Sequence, residues 1–271
     1  MRYELKALGV GEILDQSIRV LKDHFGLFLK IMFCLQIPLT LIFQFAALGM
    51  QPDISSNPTP EEMRAVMQSQ TVLLPITFLF LALSMMLVVP LTNAAIVHAT
   101  SCVYLGRETS VRDAFSVGLS RFLPLIWTWF LVYCFVMVGL VLCILPGILM
   151  LFRYGLAANV AVVEGISGMD ALNRSKFLMT TERTKHYNQF FLLGLTIGAI
   201  GFGLNLGAAM IPQAHMAVAA TVIAQGLQSA FGLIATVVFY FSCRCRVENF
   251  DLDQLAQAVE VTPVLESGPP E

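Results

Sequence analysis

Charge is what this chain has least of. Only 13% of its 271 residues are Asp, Glu, Lys or Arg, where soluble domains carry roughly 25%. The net charge is −2 and no basic stripe occurs, so the electrostatic footprint of a nucleic-acid binder is missing. Cysteine offers no framework either. Cys34, Cys102, Cys134 and Cys143 lie inside apolar runs, where a thiol acts as a small hydrophobe. Cys243 and Cys245 form a C-R-C without the second pair or histidine cluster that a zinc site needs. No structural disulfide, metal or other cofactor is expected. Residues 1–24 carry eight charges and no compact apolar core before a cleavage site, so no secretory signal is read there. A G-x-S-x-G elbow is also lacking.

What the chain has instead is hydrocarbon. Hydrophobic residues make up 57% of it, and the mean hydropathy is +0.76. They gather into runs of about 18 or more, the length that crosses ~30 Å of bilayer core. Six spans are predicted, over 25–49, 72–104, 121–145, 147–163, 188–211 and 216–243. The second is longer than one crossing needs. The fourth is short and contains Arg153. Leu145-Pro146-Gly147 and Ile211-Pro212-Gln213 read as tight turns closing hairpins.

The polar connections set the orientation. Arg2, Lys6, Arg19, Lys22, Arg107, Arg112, Arg121, Arg174, Lys176, Arg183, Lys185, Arg244 and Arg246 all fall on one side, against Arg64 on the other. By the positive-inside rule both termini are cytoplasmic, the span count is even, and a prokaryotic inner membrane is the expected setting. Three connections also carry helical amphipathic patterns, over 10–22, 110–119 and 168–179, the second opened by a Ser110-x-x-Asp113 capping box. Thr59-Pro60-Glu61-Glu62 reads as another helix start. The fold expected is therefore all-α, a polytopic membrane helical bundle with about six transmembrane helices plus three amphipathic interfacial helices. Residues 1–250 form one membrane domain of three units, about 1–104, 105–163 and 164–250. The acidic tail 251–271 is expected to be cytoplasmic and partly disordered.

Three strings in order suggest kinship. Gly11-Glu12-Ile13-Leu14-Asp15 with Phe25-Gly26 opens the chain. Leu145-Pro146-Gly147-Ile148, Arg153-Tyr154, Val162-Val163-Glu164-Gly165 and Ala171-Leu172-Asn173-Arg174-Ser175 form its middle, and Phe239-Tyr240 through Arg244, Arg246 and Glu248 to Leu252 its end. Together they resemble the glycerophosphoryl diester phosphodiesterase membrane-domain family and related membrane proteins of unknown function. The chain departs from that pattern at Lys176-Phe177-Leu178-Met179 and the polar stretch Thr180 to Lys185. In the enzymes of that family the hydrolysis belongs to a separate soluble barrel, which needs roughly 250 residues of its own. Six spans leave no room for it, so the resemblance implies a membrane module and not a hydrolase.

Four residues are candidate ligand contacts: Arg153, Asn159, Glu164 and Arg174. A charge at the depth of Arg153 costs about 2.5–3.5 kcal/mol on insertion scales, so it contacts a lipid phosphate or substrate, bonds to protein acceptors, or snorkels from its short span. Glu164 lies three turns from Arg153, about 16 Å away along one helix, too far to pair with it. Its structural alternative is a bond to Arg174 or Lys176. Asn93, His98, Asn159, Asn205, Gln225 and Gln228 read more simply as interhelical hydrogen-bonding groups. Gly198, Gly201, Gly203 and Gly207, with Ala208, give the fifth span a small-residue face. The expectation is a non-catalytic integral membrane module that scaffolds, regulates or assists an envelope or lipid-related partner. The alternative is a transporter or lipid-handling protein with a polar site near Arg153. Membrane lipids, anionic ones among them, and a membrane-protein partner are the expected company.

Overall fold

A computed structural model describes residues 6–50, 59–104, 106–181 and 183–248. The acidic tail, and the first part of the loop before Thr59, lie outside the described residues. Those residues form helices without any strand: α1 (Val10–Asp23), α2 (Phe25–Cys34), α3 (Gln36–Gly49), α4 (Pro60–Leu83), a π-helical turn (Ser84–Val88), α5 (Val89–Tyr104), α6 (Val111–Ser120), α7 (Phe122–Leu142), α8 (Ile144–Tyr154), α9 (Ala157–Val163), α10 (Met169–Thr181), α11 (Arg183–Ala209) and α12 (Ala214–Glu248). Five stretches are long and apolar enough to cross a membrane, and a sixth if the bent pair α2–α3 counts as one span. The fold is the expected all-α polytopic bundle.

Where the spans depart from regular helix, proline explains most of the departures. The sequence reads 25–49 as a single span, but α2 and α3 meet at Leu35 with a 48° bend. Pro38 stands four residues after Cys34, so its ring would collide with the Cys34 carbonyl of an unbroken helix. The second span continues the helix that starts at Pro60, giving 45 residues, about 68 Å at 1.5 Å per residue. Its π turn, with the Val89 amide bonded to the Ser84 carbonyl, lies just before Pro90, which cannot supply a regular bond to the preceding turn. The fourth span breaks between α8 and α9, where the Arg153 carbonyl accepts a hydrogen bond from the Ser175 hydroxyl at 2.9 Å.

One turn lies elsewhere than expected. Cys143, extended at φ −172° and ψ 152°, joins α7 to α8, and Pro146 and Gly147 sit inside α8. Proline is tolerated there because amides in the first helical turn have no intrahelical acceptor. The hairpin is tight because Gly139 faces Gly147: a Cβ on Gly139 would lie 2.8 Å from the Gly147 Cα. The last hairpin turns at residues 210–213, as read from Ile211-Pro212-Gln213.

The two ends of the bundle differ. At one, α1, α6 and α10 wrap the ends of α5, α9 and α12, and burial is nearly all-round over Thr92–Tyr104, Ala157–Val163 and Phe239–Arg244. Tyr240, Phe28, Phe239, Phe241, Ile13 and Ile31 are fully enclosed there. At the other end Phe78, Leu79, Val141, Leu142, Phe202 and Met210 are exposed, a surface suited to hydrocarbon rather than water. We call these the capped end and the open end.

Both ends of the described chain meet at the capped end: the Leu8 amide donates to Ser242 Oγ at 2.8 Å, and Arg246 donates to the Leu8 carbonyl at 3.2 Å. The bent pair α2–α3 crosses fully rather than turning back. It leaves α1 at the capped end, Ile37 packs against Gly226 midway along α12, and Phe45 stacks on His215 at the start of α12. Counted as one span, the pair brings the candidate spans to six.

The three amphipathic helices form where the pattern placed them. Ser110 and Asp113 make the expected capping box, with Asp113 N–H donating to Ser110 Oγ at 3.2 Å. The Ser110 hydroxyl, donating back at 2.6 Å, holds the Asp113 carboxyl below its ordinary pKa. Thr59 and Glu62 cap α4 in the same way. The apolar face of α1 divides in two: Ile13, Ser17 and Val20 are buried against the bundle, while Ile18 is 39% exposed, as is Phe25 at the start of α2, at 44%. The glycine face of α11 is narrower than expected. Gly201 abuts the Gln228 side chain and Ala208 is buried, but Gly198, Gly203 and Gly207 face open space.

Candidate functional site

Glu164, at the end of α9, is held by its loop. Gly165 and Gly168 adopt left-handed backbone at φ 73° and 64°, a region costly for residues with a Cβ. A Cβ on Gly165 would also lie 2.8 Å from an Arg121 guanidinium nitrogen. That guanidinium donates to the Val162 carbonyl at 3.1 Å, and the Gly168 amide donates to Thr128 Oγ1 at 2.8 Å. These contacts aim Glu164 at α10 and α12.

There it joins a closed polar cluster. Arg174 Nε donates to both carboxylate oxygens of Glu164, at 3.1 and 2.8 Å, and its terminal nitrogen pairs with Glu248. The Tyr240 hydroxyl donates to Glu164 at 2.7 Å. Arg244 reaches Glu248 at 3.0 Å, Glu164 at 3.9 Å and the Tyr240 hydroxyl at 3.3 Å. Two arginines face two glutamates, so the charges balance. All four are mostly shielded, with side chains between 9% and 23% exposed. Burial disfavours the charged form of Arg174, but the hydrogen bond and charge of Glu164, with Glu248 behind them, prevail and raise its pKa. The cluster ties α9, α10 and α12 together.

The four candidate residues therefore part company. Glu164 and Arg174 are brought together and largely satisfy each other. Asn159 is a helix staple, its side-chain amide donating to the Thr236 carbonyl at 3.2 Å. Arg153 stands apart: its Nε is enclosed with no hydrogen-bond partner, and among the described residues no carboxylate pairs with it.

Tyr240, Arg244 and Glu248 escaped identification as site residues. They stand 76 residues or more beyond Glu164, and the one sequence signal for them was the closing string in which all three occur.

Among the described residues no group of His, Cys, Asp and Glu is placed to hold a metal ion. The six cysteines are all free. The His98 imidazole and Cys102 thiol approach to 3.5 Å within one helix, one turn apart. Two apolar cavities flank Trp129. One, of about 190 Å³, lies between α7, α8, α9 and α11, and the other, of about 510 Å³, lies between α7 and the helix around the π turn. Their walls hold methionine, aromatic and aliphatic side chains, the lining of a hydrocarbon-filled space. No known protein family, curated protein or solved structure matches the chain.

Proposed function

We propose that this chain is a non-catalytic membrane module that scaffolds, regulates or assists a membrane-protein partner. The closure of the Glu164–Arg174–Tyr240–Arg244–Glu248 cluster carries this reading. The side chains best suited to acid–base work are spent on one another, and they lock α9, α10 and α12 into a rigid platform. Outside that lock the capped end presents water-facing charges of both signs: Asp15, Arg19 and Lys22 on α1, Arg112 on α6, and Asp170 and Lys176 on α10. Such a surface suits a polar protein rim better than a single anionic ligand. The 13-to-1 distribution of Lys and Arg supports a cytoplasmic capped end in a prokaryotic inner membrane. All five cluster residues fall within the strings that resemble the glycerophosphoryl diester phosphodiesterase membrane domain, which supports a kinship at the level of that membrane module.

Photo-crosslinking amino acids placed at Arg19, Arg112 and Lys176, with Arg64 at the opposite end as control, test this in intact cells. A discrete protein adduct from the capped-end positions and none from Arg64 is the expected outcome. Lipid adducts alone from all four positions, or hydrolysis of phospholipid by the purified chain, would contradict it.

A further inference from the structure

We propose that Arg153 anchors a phosphate group, carried by an anionic phospholipid that enters from the membrane at the capped end. The first observation is the arginine's isolation. Arg121, Arg174, Arg244 and Arg246 all end on protein acceptors: the Val162 carbonyl, Glu164 with Glu248, Glu248, and the Leu8 carbonyl. Among the described arginines that are not exposed, Arg153 is the exception, with an enclosed and unbonded Nε and no partner carboxylate. A cation held in a membrane protein without a protein acceptor calls for an anion from outside the chain.

The second observation is depth. Arg153 stands midway along the stretch Ile144–Val163, and the contacts around it lead toward the capped end. Its carbonyl bonds to Ser175 on the amphipathic helix α10. The preceding residue, Phe152, stacks on Tyr187 at 5.4 Å, two residues past Lys185, where the fifth span begins. From there the long guanidinium side chain can extend to the headgroups at the capped end, while Tyr154 beside it packs on Phe135 within α7 at 5.6 Å. The third observation is the surroundings: Leu151, Phe177 and Phe191, from α8, α10 and α11, are each about half exposed. Acyl chains can lie on them while a phosphate reaches the guanidinium, which can hold it through two parallel hydrogen bonds. Free phosphate would leave that apolar rim uncovered.

The test is thermal melting of the full chain in neutral detergent, alone, with phosphatidylglycerol, and with inorganic phosphate. Wild type should gain several degrees with phosphatidylglycerol, because a ligand of the native state raises the midpoint by mass action, and nothing with inorganic phosphate. Arg153→Met should melt without lipid at or above the wild-type temperature and show no lipid-induced rise. Arg153→Lys should keep part of the rise, since an ammonium cannot make the paired bonds. Equal lipid-induced shifts in all three proteins overturn the site. A shift produced by inorganic phosphate in wild type and lost in Arg153→Met keeps the site but overturns the lipid as its source. Should Arg153→Met not fold, wild type labelled with a photoreactive-headgroup phosphatidylglycerol decides the matter. Adducts within residues 148–156 support the site, and adducts only elsewhere overturn it.

Discussion

Glu164→Gln is expected to destabilise the protein by about 2–4 kcal/mol. The estimate follows from the cost of leaving a shielded charge without its partner, reduced because the cluster is partly exposed. The substitution keeps a hydrogen-bond acceptor for Tyr240 but removes the charge that receives both Arg174 bonds and faces Arg244. Two arginines would then share Glu248 alone. Replacing Arg174 with Met in the same background should recover part of the loss, because the pair is coupled. Melting of the two single variants and the double variant, in one detergent, measures that coupling. Strictly additive losses would show that the bond between Glu164 and Arg174 contributes nothing to the platform.

Ile13→Asp should cost about 4–5 kcal/mol, at the upper end for a point substitution. Ile13 is fully enclosed between α1 and the bundle. A carboxylate there must be buried without a partner or protonated, and the lost side chain leaves a void as well. Ile18→Asp is the control. It lies on the same apolar stripe but is 39% exposed, so in detergent the expected loss is under about 1 kcal/mol. Similar losses at both positions would mean that α1 does not divide its stripe between bundle and hydrocarbon.

Much of this architecture is legible in the sequence because its determinants are local. Span length and hydropathy mark the crossings, the 3.6-residue repeat marks α1, α6 and α10, and Ser110–Asp113 and Thr59–Glu62 mark helix starts. The details that escaped depend on what a helix meets far along the chain. Pro38 and Pro90 are visible, but whether a proline bends a helix, inserts a π turn or sits quietly in a first turn, as Pro146 does, depends on the neighbours that fix its backbone. The Gly139–Gly147 contact pulls the hairpin turn forward to Cys143. In the cluster, local spacing offered Glu164 either Arg174 or Lys176, and the structure selects Arg174 because it faces α12, where Tyr240, Arg244 and Glu248 complete the network. Lys176 is exposed. The glycines of α11 show the same limit: composition suggests a seam along the helix, and only the position opposite Gln228 is one.

The proposed platform requires six crossings with every amphipathic helix at one end. Single cysteines at Lys22, Arg112, Lys176, Arg64 and Gln213, in a cysteine-free background, test it directly. A membrane-impermeant maleimide is applied to right-side-out and inverted vesicles. All five positions are exposed, so each should react from whichever side it occupies. Lys22, Arg112 and Lys176 should label only in inverted vesicles, and Arg64 and Gln213 only in right-side-out ones. Labelling of Lys22 from the same side as Gln213 would break the even count, and with it the capped and open ends on which the platform depends.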